Sequence, residues 1–260
     1  MIDAGDGCLL NVSIDGRDGG PTLMLSNSLG CTLQMWEPQQ MAALTKQFRV
    51  VRYDRRGHGK SSVPPGPYSM ERFGKDVLAI LDDLNIARTH WCGLSMGGMV
   101  GQWLGANAPE RFDRIILSNT ACYYPDPTNW LNRIKAVQEG GIAAVADTVI
   151  AGWLTADFRE REPAITARMK AMLTASPQVG YLACCEALST LDQRALLPKI
   201  KSPTLVIAGR HDPATPVAAG ELIRSQIPGA SMTILDAAHI SNVEQPYAYT
   251  EAVIGFLTQR

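Results

Sequence analysis

The chain has 260 residues, with 24 Lys and Arg against 25 Asp and Glu and a net charge of −1. That balance gives no bulk electrostatic basis for binding nucleic acid or an anionic membrane, and a chain this long buries a core without staples. Six cysteines, with no Cys-x-x-Cys spacing and two of them adjacent (Cys184, Cys185), suit neither a disulfide framework nor a zinc site. They point to a reducing, cytoplasmic setting. MIDAGDGCLL has neither the basic nor the apolar region of a signal peptide, and no run approaches the ~18 apolar residues of a membrane span.

In chain order, CLLNVSI (8–14) predicts an early strand, followed by a turn at DGRDGG. PTLMLSN (21–27) and FRVVRYD (48–54) are short apolar runs that read as buried strands. Residues 69–86 carry Phe73, Val77, Ile80, Leu81 and Leu84 at helical spacing. THWCGL (89–94) predicts a strand, and MGGMVGQWLGANAP (96–109) a helix stopped by Pro109. RIILSNT (114–120) is the next strand. From about 121 to 190 the alternation breaks into helices separated by Gly and Pro signals. It resumes with PTLVIAG (203–209), a helix at VAAGELIRSQI, a strand at SMTILD and a last helix from Pro246. Strands alternating with helices predict a parallel sheet covered on both faces. The division expected is an α/β core over 1–120 and 191–260, with a helical insertion over 121–190.

WCGLSMGGMV (91–100) sets Ser95 at a strand-to-helix junction between Gly93 and Gly97. A sharp turn there leaves no room for side chains two residues to either side, and it exposes the serine at the positive end of a helix. Serine needs a base. In this arrangement the chain order is Ser, then acid, then His, and only His211 and His239 follow Ser95. Asp212 stands just past PTLVIAG, which leaves His239, in DAAHISNVEQP, as base. RIILSNT offers no acid at its end, so Asp212 is also favoured by elimination. The backbone N–H of Met96, next to the serine, and that of Leu29, in SNSLG after an early strand, are the expected oxyanion donors. His58 and His90 read as structural or surface residues. DRRGHGKS (54–61) hints at a phosphate loop, but Asp54 stands where that loop requires glycine. No histidine pair has metal spacing.

Together, GLSMGG, DRRGHGKS, GRHD and AAHISNVEQP resemble the α/β-hydrolase superfamily over nearly the whole chain. The resemblance implies a mostly parallel, eight-stranded sheet flanked by helices, with 121–190 as its helical cap. NSLGCTLQMWEPQ, DRRGHGKS, GLSMGGMVGQWL and HISNVEQP look more narrowly like bacterial 3-oxoadipate enol-lactonases, Asn27-Ser28 standing where most relatives have His-Gly. This implies hydrolysis of a small anionic enol-lactone through an acyl-enzyme, with no metal or organic cofactor. The other readings are a carboxylesterase, a carbon–carbon bond hydrolase, or a non-catalytic binder of the same fold. A substrate carboxylate needs a partner when buried. Trp130, Arg133 and Ile134 share a helix face in NWLNRIKAV. Arg133 is the candidate for that carboxylate, with Trp130 and Trp153 as pocket walls. The alternatives are a solvated Arg133 and a core Trp153.

Overall fold

The computed structural model describes residues 1–259. Ile2–Asp3 (β1) and Leu9–Leu10 (β2) form a small antiparallel pair. The main sheet takes Val12–Gly16 (β3) and Thr22–Ser26 (β4) and, after the short helix Gln39–Leu44 (α1), Arg49–Tyr53 (β5). Met70–Asp83 (α2), Thr89–Leu94 (β6), Met96–Asn107 (α3) and Phe112–Ser118 (β7) follow. Next come five helices: Thr128–Gly140 (α4), Ala143–Trp153 (α5), Ala156–Arg161 (α6), Pro163–Thr174 (α7) and Gln178–Ser189 (α8). Thr204–Gly209 (β8), Val217–Gln226 (α9), Ser231–Leu235 (β9), Ser241–Glu244 (α10) and Pro246–Leu257 (α11) close the chain. Among the described residues no helix is long and apolar enough to cross a membrane.

The sheet order is β3-β5-β4-β6-β7-β8-β9, parallel except for β3. Among the described residues it has seven strands, not the eight that the resemblance implied. The run at 8–14 is also split in two. Leu9 and Leu10 pair with Asp3 and Ile2, while the Asn11 N–H goes to Ser61 Oγ at 2.8 Å and its side-chain amide to Asp54 at 2.8 Å. The ladder with β5 therefore starts only at Val12. Central strands such as TLVIAG are buried along their whole length, as strands covered on both faces must be. Helix α2 starts where Ser69 accepts the Arg72 N–H. It buries Phe73, Val77, Ile80 and Leu81 against the core.

This order fixes where a site can form. The chain runs from β4 outward to β5, then crosses to β6 on the other side of β4 and continues outward the other way. Loops leaving β4 and β6 therefore diverge at the carboxyl edge, which is where open α/β sheets hold ligands. Leu29 follows β4 and Ser95 follows β6.

Candidate active site

Ser95 has φ 58° and ψ −116°, a conformation L residues avoid. It is held there from several directions. Its N–H donates to the Ser118 carbonyl at 2.8 Å, and its carbonyl accepts from Thr120 Oγ1 at 2.7 Å and Gly98 N–H at 2.8 Å. The neighbouring backbone packs so closely that a methyl at Gly97 would sit 2.3 Å from the Ser26 carbonyl oxygen, and one at Gly93 2.1 Å from that of Gly97. A serine at a helix start ordinarily turns its hydroxyl back onto the helix, as Ser69 does; Ser95 makes no such bond. Ser95 lines a cavity.

His239 follows β9, and its Nδ1 lies 2.8 Å from Asp212 Oδ2. Both are buried. Every other partner of the Asp212 carboxylate is a donor: Ala214 N–H at 2.8 Å, Thr215 N–H at 3.0 Å, Thr215 Oγ1 at 2.6 Å and Asn119 Nδ2 at 3.2 Å. Burial would raise the Asp212 carboxyl, but the His239 ring and these donors outweigh it and hold the group below its ordinary value. The histidine is thus oriented by an ionised carboxylate, with its Nδ1 as the donor. The other late histidine, His211, sits at the surface 2.8 Å from Asp236.

The His239 loop is tied to the helical segment. Glu244 accepts from the Ala238 N–H at 2.9 Å and from the Thr155 hydroxyl, and the Ile240 N–H donates to the Trp153 carbonyl at 2.9 Å. Ser241 Oγ donates to Asn119 Oδ1 at 2.6 Å, so the loop after β7 braces both acid and base. Asn119, Thr215, Ser241 and Glu244 were missed in the sequence. Only Thr215, three residues past an aspartate, left a local signal.

A cavity of about 570 Å³ opens over the carboxyl edge. Leu29, Ser95, Trp130, Arg133, Trp153 and His239 all line it. Among the described residues, the Leu29 and Met96 N–H groups donate to no protein acceptor. Met96's side chain is buried in the core and Asp212 lies behind His239, so neither needs to reach the cavity. Arg133 stacks over Trp130 at 4.8 Å, and Tyr124 meets the same indole edge-on at 5.4 Å. Trp153 is both wall and core, only 6% exposed. Tyr181, unremarked in the sequence, also lines the cavity, its hydroxyl buried near the Arg133 guanidinium and without a hydrogen bond of good geometry among the described residues.

The remaining histidines are not surface groups. His90 is partly buried on β6 with its ring edge-on to Phe48 at 6.1 Å, and His58 is fully buried. The six cysteines are free and buried, and burial raises every thiol, Cys31 and Cys92 to about 12. Native protein is expected to leave Ellman's reagent unreacted for hours, while denatured protein titrates all six thiols. A fast-reacting native thiol would contradict this.

A strained serine in the turn after a central strand, an oriented His–Asp pair and the unpaired Leu29 N–H at one cavity, with the unpaired Met96 N–H next to the serine, define a hydrolase-like class of site. The α/β-hydrolase fold family model matches residues 21–246, and the chain belongs to that family. Within it, the chain is 43% identical to 3-oxoadipate enol-lactonase 2 of Acinetobacter baylyi over 94% of its own length and 91% of that protein's. It is 38% identical to 3-oxoadipate enol-lactonase 1 of the same organism over 99% of this chain and 96% of that one. The crystal structure of an enol-lactonase from Burkholderia xenovorans LB400 superposes over the whole of both chains with a TM-score of 0.97 at 44% identity.

Proposed function

We propose that the protein is a serine hydrolase that opens 3-oxoadipate enol-lactone to 3-oxoadipate in the catabolism of aromatic acids. The observation that carries this reading is one cavity lined by Ser95, His239 and Leu29 together with Arg133, which stacks on Trp130. Relatives that share 38–43% identity over nearly their whole length bear the enol-lactonase name.

Ser95 Oγ attacks the ring carbonyl while His239 takes its proton. The oxyanion sits between the Leu29 and Met96 N–H groups. Collapse breaks the ring C–O bond, and the leaving enolate oxygen takes the proton back from His239 as an enol that tautomerises to the ketone. Water, deprotonated by His239, then attacks the Ser95 ester. The product carboxylate leaves and the serine recovers its proton. Asp212 holds the imidazole in the required tautomer and stabilises its cation. We read 121–190 as the cap, carrying the wall against which the substrate's carboxymethyl arm is held. Arg133 supplies a planar, always-charged fork for that carboxylate, with Trp130 keeping it in place. Six free cysteines support a reducing compartment, and we place the enzyme in the cytoplasm.

The test follows loss of the lactone's ultraviolet absorbance, with the lactone generated in situ. Wild type is expected to turn it over rapidly, in preference to neutral esters of similar size. Arg133→Gln is expected to raise KM for the lactone about tenfold or more, as loss of a charge-assisted pair should, and to leave KM for a neutral ester unchanged. Faster turnover of neutral esters than of the lactone would replace the lactonase with a general carboxylesterase.

A further inference from the structure

The DRRGHGKS segment has no part in the reaction outlined above, yet it lies directly beneath the Leu29 loop. Asp54 serves the loop framework, accepting the Leu33 N–H at 2.8 Å and the Lys60 N–H at 3.0 Å. Two other residues of the segment are more unusual. Arg55 is only 2% exposed, and among the described residues no carboxylate lies within ion-pair distance of it. Its guanidinium donates instead to the Asn27 carbonyl, which also accepts the Gly97 N–H at 3.1 Å. His58 is fully buried, and its Nε2 accepts the Gly30 N–H at 2.9 Å. Its Nδ1, turned toward the Arg56 backbone, finds no hydrogen bond of good geometry.

Burying a cation without an anion, and a ring N–H without an acceptor, each costs free energy. A protein retains such groups where they do something the packing alone does not. Here both contacts fall on the backbone of one short loop, at its two ends and with opposite polarity. Asn27 offers a carbonyl and receives a donor. Gly30, at φ 73°, offers an N–H and receives an acceptor. Leu29, between them, keeps its own N–H unpaired at the cavity.

We propose that Arg55 and His58 are positioning residues that clamp the 27–30 loop at both ends, so that the Leu29 N–H stays in place for the oxyanion. The His58 contact requires a neutral ring protonated on Nδ1, since a proton on Nε2 would set N–H against N–H. Burial, reinforced by the Arg55 charge, lowers His58 to about 3, so the ring remains an acceptor at working pH. The Asn27 amide completes the frame. It donates to the Tyr53 carbonyl at 2.9 Å and accepts from Trp36 Nε1 at 2.8 Å. The Asn27-Ser28 pair thus builds the loop, and its amide is spent on the scaffold.

The clamp rests on the reading of Leu29 as an oxyanion donor, and the test is chosen to stand apart from the choice of lactone. Hydrolysis of 4-nitrophenyl acetate and phosphonylation of Ser95 by a fluorophosphonate are compared in wild type, His58→Leu and His58→Gln. A glutamine can place its amide oxygen near the position of Nε2. His58→Leu is expected to lower kcat and the phosphonylation rate about 10²-fold, near the cost of losing one oxyanion donor, with KM within twofold. His58→Gln is expected to recover at least tenfold of that loss. An unchanged kcat in His58→Leu, a loss carried by KM, or a glutamine no better than leucine would overturn the clamp. In wild type, independent of any variant's folding, long-range ¹H–¹⁵N NMR at pH 7 is expected to show His58 protonated on Nδ1 alone. A proton on Nε2 would likewise overturn it. If esters and the probe behave as expected but the lactone is not turned over, the clamp stands and the proposed substrate falls.

Discussion

Replacing Ser95 by alanine is expected to lower kcat for the lactone by about 10⁶-fold, the scale seen when a triad nucleophile is removed. The residual rate would come from the two backbone N–H groups and from binding, which the substitution leaves in place. Lactone affinity should therefore remain close to that of wild type, because the substitution leaves Arg133 and Trp130 of the cavity lining in place. Stability should change little. Ser95's φ of 58° is imposed by its backbone bonds and by the close approach of Gly97 to Ser26, and alanine would suffer the same strain. Absorbance loss measured with both proteins at equal concentration checks the prediction. A variant retaining a tenth of the wild-type rate would remove Ser95 from the chemistry.

The second large effect is expected at Asp212→Asn, about 10⁴-fold in kcat with the protein still folded. The carboxylate is surrounded only by donors: two backbone N–H groups, the Thr215 hydroxyl, the Asn119 amide and the His239 ring. An asparagine that keeps its oxygen toward the Ala214 and Thr215 N–H groups must turn its NH₂ toward His239. The ring then holds its proton on Nε2 and cannot accept one from Ser95. The same substitution tests the acid limb of stability. The Asp212 carboxyl lies below its ordinary value of 3.8 in the folded protein. Its contribution is therefore present above pH 3.8 and disappears as pH falls through the lower folded value. Urea midpoints between pH 2 and 6 should show the variant less stable than wild type at the upper end, the gap closing toward the lower. A gap independent of pH would place the stabilisation elsewhere.

Ser95, Asp212 and His239 were legible because each carries a local signature. Two glycines flank the serine, the aspartate comes shortly after the largely apolar run PTLVIAG, and the histidine is the last one in the chain. Trp130 and Arg133 were legible only as a helix face, and Tyr181 on a neighbouring helix was invisible, since what surrounds its buried hydroxyl is a fact about tertiary packing. The sheet count differed for a similar reason. Strand 8–14 has one apolar pattern, but Asn11 is captured by Asp54 and Ser61, more than forty residues away in the chain. His58 was read as structural or surface; the structure buries it against the loop that carries Leu29.

What the sequence determined by itself was the periodicity of the elements, the turn at Ser95 and the chain order of Ser95, Asp212 and His239. The periodicity and the turn depend on residues close together in the chain, and the order is read directly along it. What only the tertiary structure decided was how the loops after β4, β6, β7, β8 and β9 meet at one edge, with Asn119 and Thr215 on Asp212, Glu244 on the His239 loop and the Arg55–His58 clamp beneath Leu29. Apart from Thr215, which reaches an aspartate three residues away, and the Glu244–Ala238 bond, those contacts join segments about thirty to ninety residues apart. Each donor or acceptor finds its partner only once the sheet is assembled and water is excluded, and no local pattern encodes that pairing.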